Sequence, residues 1–407
     1  MSSVDVIVPC YRYGHFLREC VESILTQSVS SLRVLIIDDA SPDSTTEIAA
    51  ELAKGDSRVT FLKHLSNKGH IYTYNEGIEW AASDYMLILS ADDYLLPGAL
   101  NRAAKLMDAN PEVAFSFGNA LQRDPSGEER PINRVIGNAN WRILAGFQFI
   151  QLSGPRNIVP TPTAVVRTQL QRRLGGYRSE LTHAGDMEMW FRLAAHGSVG
   201  MLNAYQAVYR RHTGNMSLAY MAEGWLPDVQ QRKDALNCFF QTCGHILPIT
   251  NRLQRKFYWL LARDAVGLGS SAFNMGKIQD SQALCDFAHR TCPSIRWSLA
   301  WMKLACKRRM GYEAWSVLEP AIRSVDRMAP LLKRALRFAA RAGVIVRRVG
   351  SDNGQTRSEV ARGGLFPSAR CGAQGKPSRE IPPRAFANAP VDRGTEDLAE
   401  AENLPGL

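Results

Sequence analysis

Four short apolar segments fall within the first ninety residues: "VDVIVP" (4–9), "LRVLIIDD" (32–39), "RVTFLKH" (58–64) and "DYMLILS" (84–90). Each is too short for a stable helix and rich in β-branched or aromatic residues, which reads as a strand. Stretches of helical period separate them. "HFLRECVESILTQ" puts Phe16, Leu17, Cys20, Ile24 and Leu25 on one face, and Pro42 suits the first turn of the helix that "STTEIAAELAK" continues. "HIYTYNEGIEWAA" and "PGALNRAAKLMDAN" supply a third and a fourth helix. Strand and helix in strict alternation predict an α/β fold, a Rossmann-like, mostly parallel sheet covered on both faces.

Further on the rhythm loosens. "EVAFSFGNA", "PTPTAVVR" and "MLNAYQAVYRRH" read as strands or extended segments, and "DMEMWFRLAAHG" as a helix ending at Gly197. From 220 to 326 strand signals almost vanish, and segments such as "WSLAWMKLACKRRM" predict amphipathic helices. We therefore divide the chain into an α/β domain at 1–218, an α-helical C-terminal region at 219–326, a basic amphipathic helix at 327–350 and a disordered tail at 351–407. In that tail prolines, glycines and charges replace the core formers.

Two strands end in paired carboxylates, "LIIDDAS" and "LILSADD". Ligands of open parallel sheets bind outside the carboxyl ends of the strands, so both pairs belong on one rim. A buried unpaired charge costs several kcal/mol in order of magnitude, so such strands should meet a cation or water there. A dinucleotide site needs a G-x-G-x-x-G turn after the first strand, but "CYRYGHF" follows it here, and the Walker lysine motif is absent too. Without a glycine loop, a divalent cation can hold phosphates through one or two carboxylates, here Asp92 and Asp93. The competing reading is an Asp-Asp pair that is solvated or caps the helix beginning near Pro97. A second acidic pair on the same rim favours the metal.

The ordered set "VDVIVPCYRYGHFLRECVESILTQ", "LIIDDASPDSTTEI", "NKGHIYTYNEGI", "LSADDYLLPGAL", "GGYRSELTHAGDMEMWFRL" and "YRRHTGNMS" resembles family 2 glycosyltransferases of GT-A fold, over residues 3 to about 218. The resemblance implies an inverting transferase using a nucleotide-diphospho-sugar donor, a divalent metal (Mg or Mn) and a glycan or lipid-linked acceptor. It places Pro9, Tyr11, Asp38, Asp39, Asn67, Gly69, Ser90 and Asp93 around the nucleotide sugar, with Asp39 on the base and Asp38 on the loop or the ribose. Asp92 falls on the metal position, and Asp186 on that of the catalytic base, where a helix-start charge is the competing reading. His212 matches a position that supplies a further metal ligand, its alternative being a hydrogen-bonded histidine at a strand end. Two family positions differ: Ser90 replaces the first acid of D-x-D, and Gly185 replaces the glutamate before Asp186. Tyr74 stands where many relatives carry arginine, and we read it as packing within its helix. Ser90 and Gly185 also support the alternative of a catalytically silent nucleotide-sugar-binding module. A sugar-nucleotide pyrophosphorylase should show a glycine-rich loop after its first strand.

The net charge of +10 is concentrated late in the chain. Between Asp326 and Asp352 every charged residue is basic, and the segment 329–350 is amphipathic. It reads either as peripheral contact with an anionic membrane or as a terminal helix with a solvated basic face. No nucleic-acid signature accompanies the charge. No run reaches the ~20 apolar residues of a membrane span, the N-terminus lacks a leader pattern, and the eight cysteines show no paired metal spacing. These features predict reduced thiols and a cytoplasmic protein, with the inner face of the plasma membrane as a place of work.

Overall fold

A computed structural model describes residues 2–132, 140–216 and 224–319. The first half of the α/β domain follows the predicted alternation: β1 (Ser3–Cys10), α1 (Gly14–Leu25), β2 (Ser31–Asp38), α2 (Thr45–Gly55), β3 (Val59–Lys63), α3 (His70–Trp80) and β4 (Tyr85–Ile88). These strands lie in the order β3-β2-β1-β4, all parallel. Successive side chains of a strand point to opposite faces. Val4, Val6, Val8, Val34 and Ile36 accordingly pack with Leu17, Val21 and Ile24 of α1 in one core, while Ile7, Leu35 and Ile37 join Ile71 and Ile78 of α3 in the other. Both faces are covered, as the unbroken apolar strands require. Helix α3 lies so close to β1 that a Cβ on Gly77 would come 2.3 Å from Ile7 Cγ2.

Beyond β4 the sheet is mixed. The chain continues through β5 (Tyr94–Leu95), α4 (Ala99–Ala109), β6 (Val113–Arg123), β7 (Glu129–Pro131), β8 (Trp141–Leu144), α5 (Gly146–Ser153), β9 (Val165–Arg167), α6 (Thr168–Leu174), α7 (Gly185–Ala194) and β10 (Ser198–Arg210). Short β9 runs antiparallel between β4 and β6, β10 lies parallel to β6, and β5 and β8 pair antiparallel with β10. Long β10 therefore carries its C-terminal end, "YRRH", to the rim where β4 delivers "ADD".

The helical region comprises α8 (Trp225–Cys243), α9 (Thr250–Asn274), α10 (Ile278–Thr291) and α11 (Leu299–Met310). It shares a core with the α/β domain: the Phe191 ring of α7 lies 5.3 Å from Phe239 of α8 and 6.2 Å from Phe257 of α9. Residues 1–320 form one compact unit. The predicted helix 327–350 and tail 351–407 lie outside the described residues. Among the described residues no helix is long and apolar enough to cross a membrane, and seven cysteines are free.

Candidate active site

Asp38 ends β2 fully buried, its Oδ1 accepting from the Ser41 amide at 2.9 Å and its Oδ2 from the Thr46 hydroxyl at 2.6 Å. Both contacts tie it to the segment that follows β2. The Asp39 carboxylate, also buried, accepts from the amides of Lys68 (2.7 Å) and Gly69 (2.9 Å) and meets His64 Nδ1 at 2.7 Å. His64 Nε2 in turn faces Glu76 at 2.5 Å. Asp39 therefore joins β2 to the loop before α3, where Asn67 accepts from the Gly69 amide at 3.0 Å and Gly69 has φ +86°. Pro9 is buried within β1, its carbonyl taking the Ala91 amide at 3.3 Å, while Tyr11 is exposed beside it. Arg12 (φ 65°) and Ala40 (φ 59°), just past the ends of β1 and β2, adopt the left-handed conformation that costs non-glycines about 1–2 kcal/mol. Such strain concentrates where a loop must hold a particular shape.

The carboxylates after β4 meet a cation from β10. Asp93 is buried and accepts from the Arg210 amide at 3.0 Å, and Arg210 Nη1 donates to the Asp92 carbonyl at 3.1 Å. The Arg210 guanidinium lies 4.9 Å over Phe16 and 4.7 Å over Tyr94, and pairs with Glu19. Burial and the neighbouring Asp92 charge nevertheless push the Asp93 carboxyl well above the usual carboxylate range, against the opposing Arg210 contacts. Asp92 Oδ2 meets His212 Nε2 at 3.1 Å and Asn215 Nδ2 at 3.2 Å. The Gly214 amide donates to His212 Nδ1 at 3.2 Å, which places the ring proton on Nε2. Asp92 Oδ1, buried in the same place, has no hydrogen-bond partner among the described residues. Ser90, partly buried, takes the Asp93 amide on its carbonyl at 3.0 Å.

Asp186 lies in the first turn of α7, its Oδ2 accepting from the Thr161 hydroxyl at 2.6 Å. Burial raises its pKa, opposed by Thr161, His70, the Tyr177 hydroxyl and His183. Asn75 of α3 clamps the Tyr177 backbone from both sides, at 2.7 and 2.9 Å. Glu188, two residues on, is engaged elsewhere: it is fully buried and pairs with Arg192 at 2.9 Å and Arg178 at 3.5 Å. Tyr74 packs edge-on against His70 (5.6 Å) and Tyr177 (5.4 Å), as its helical position suggested.

Shared neighbours connect the three acidic clusters. The charges of Asp186, Asp92 and Asp93 all act on the Tyr74 phenol, and those of Asp186 and Asp39 both act on His70. Arg210, Asn215, Asn75 and Thr161 escaped the sequence reading. Arg210 and Asn215 lie in the segment "YRRHTGN" that did attract attention, so a search for a cation to balance Asp92 and Asp93 would have found Arg210.

The profile of the family described as "Glycosyl transferase family 2" matches residues 5–169. An uncharacterised protein of Mycobacterium tuberculosis is 27% identical over 218 residues, 52% of this chain and 67% of that one. The Campylobacter jejuni GalNAc(5)-diNAcBac-PP-undecaprenol beta-1,3-glucosyltransferase is 33% identical over 122 residues, covering 30% of this chain and only 39% of its relative. Among solved structures, Staphylococcus aureus TarS 1–349 in complex with UDP superposes with a TM-score of 0.51 at 16% identity, over 79% of this chain and 91% of that one, a likeness of fold. The rim carboxylates Asp38, Asp39, Asp92 and Asp93 all lie within the residues that match the model of glycosyl transferase family 2.

Proposed function

We propose that this protein transfers a sugar from a nucleotide-diphosphate donor to an acceptor hydroxyl, with inversion at the anomeric carbon. The observation that carries the reading is Asp92 Oδ1, a buried carboxylate oxygen without a partner among the described residues, beside an imidazole nitrogen on the same rim. An oxygen and a nitrogen donor of this kind fit a divalent cation completed by phosphate oxygens. Among the described residues no third His, Cys, Asp or Glu joins them, which leaves room for the donor's own oxygens. Ligation through His212 Nε2 would move its proton to Nδ1 and release the Gly214 amide. When bound, the cation supplies Lewis-acid stabilisation of the leaving diphosphate.

In this reading the Asp39–Lys68–Gly69 loop receives the base, with Tyr11 exposed alongside. Asp186 accepts the proton of the acceptor hydroxyl. Thr161 fixes one carboxylate oxygen, and the raised pKa makes Asp186 a stronger base than an ordinary aspartate. The acceptor oxygen then bonds to the anomeric carbon as the bond to the diphosphate oxygen breaks, and the electron pair leaves with the nucleoside diphosphate. The name of the C. jejuni relative, which specifies an undecaprenol-diphosphate-linked acceptor, supports a lipid-linked glycan as acceptor.

Ser90 and Gly185, which depart from the family's acids, support a second reading, donor binding without turnover. Release of nucleoside diphosphate from a panel of UDP-, GDP- and dTDP-sugars, with Mn²⁺ and lipid-linked or free glycan acceptors, separates the two. Acceptor-dependent release that fails in Asp186→Asn supports transfer. Donor binding without any release supports the silent module.

A further inference from the structure

The exposed side of α11 is apolar where a solvated helix should be polar. Leu304 is its one fully buried residue. On the opposite side Leu299, Met302, Cys306 and Met310 follow the spacing i, i+3, i+7, i+11, a continuous stripe along the helix. Leu299 is 73% exposed and both methionines 44%. Trp297, just ahead of the helix, is also 73% exposed, with the Arg296 guanidinium 4.9 Å over its ring. Lys303 and Arg309, both exposed, flank the stripe, and Arg290 and Arg296 are exposed nearby. Between Asp286 and Glu313 the sequence holds Arg290, Arg296, Lys303, Lys307, Arg308 and Arg309 and no acid. Lys307 turns inward to Ser270 at 2.7 Å, and Arg308 bonds to Gln282, so the outward charge comes from the other four.

We infer that the face formed by Trp297, Leu299, Met302 and Met310 docks on an anionic lipid surface. An apolar helix stripe edged with lysine and arginine is the pattern that lies in the plane of a membrane interface. An indole at the boundary places its ring at headgroup depth. The absence of any acid over this span suits a surface of negative charge and would repel none of it. The inference does not depend on the transfer reaction.

The test is flotation of the full-length chain with vesicles of phosphatidylcholine containing about a third phosphatidylglycerol, where basic residues near the surface each contribute about fivefold in binding. Lys303→Glu with Arg309→Glu should weaken binding about 25-fold or more, and Trp297→Ser with Leu299→Ser should weaken it while the far-UV spectrum stays unchanged. Maleimide labelling of Cys306, with Cys306→Ser as the blank, should slow when vesicles are added. The basic run 327–348 stays intact in every variant, so its contribution cancels. Wild-type protein that does not float overturns the inference. Variants that float like wild type, or a Cys306 that labels equally fast with vesicles, place the contact elsewhere and also overturn it. A wild-type dimer that becomes monomeric in Leu299→Ser assigns the face to a second copy and overturns it as well.

Discussion

Glu188 shows how one buried ion pair fixes the loop that leads to Tyr177. It is fully buried on α7, and Arg192 reaches it with Nε at 3.0 Å and Nη2 at 2.9 Å. The remaining Arg192 donors go to the carbonyls of Leu174 (2.7 Å), Gly175 (3.2 Å) and Gly176 (2.8 Å). One ion pair therefore holds the backbone that leads to Tyr177, whose hydroxyl bears on Asp186. Glu188→Gln keeps the shape but leaves the buried guanidinium without its counter-charge. Removing one partner of a buried pair costs about 3–5 kcal/mol. The lower end applies here because three carbonyls still receive Arg192, and about 3 kcal/mol corresponds to a fall of about 4–5 °C in Tm for the unit of residues 1–320. Arg178 touches the same carboxylate at 3.5 Å but is partly exposed, so Arg178→Gln should cost less than about 1 kcal/mol. Thermal unfolding followed by circular dichroism measures both. Equal shifts in the two variants, or a Glu188→Gln shift below about 2 °C, would refute the argument from burial.

Asp186→Asn should leave donor affinity within a few-fold of wild type and lower transfer by about 10²–10⁴, measured as nucleoside diphosphate release alongside calorimetric binding. Because burial raises the Asp186 pKa and the base must be ionised, transfer should fall as pH drops through that raised value, so the acid limb of kcat should lie above the ordinary carboxylate range; a limb at or below that range contradicts the assignment. Gly146→Ala would set a Cβ 1.6 Å from the Ala194 carbonyl oxygen, so it should destabilise by about 3 kcal/mol or more, read as lost soluble yield and a lower Tm.

The parallel half of the sheet was legible because its signals are local: each apolar strand and its covering helix adjoin in sequence. Short β5, β7 and β8 carry no such signal, and β10 finds β6 and β5 only through long-range pairing. The same contrast holds at the site. Asp39, Asp92 and Asp186 stood out as charges at strand or helix ends. What holds them did not, because Asp39 is bound largely by backbone amides, which every residue offers, and Asp92 by Asn215 from 123 residues away. Asp38 stood out as a charge at a strand end, but its partner Thr46, eight residues on, carried no signal of its own.

The most direct measurement is calorimetric binding of UDP and GDP to wild type and Asp92→Asn, each with Mn²⁺ and with chelator. With Asp92 Oδ1 as a cation ligand, Mn²⁺ should tighten one of the two nucleotides at least about tenfold in wild type, a difference of about 1.4 kcal/mol, and change nothing in Asp92→Asn. Equal Mn²⁺ dependence in both proteins, or none in wild type, would contradict the account.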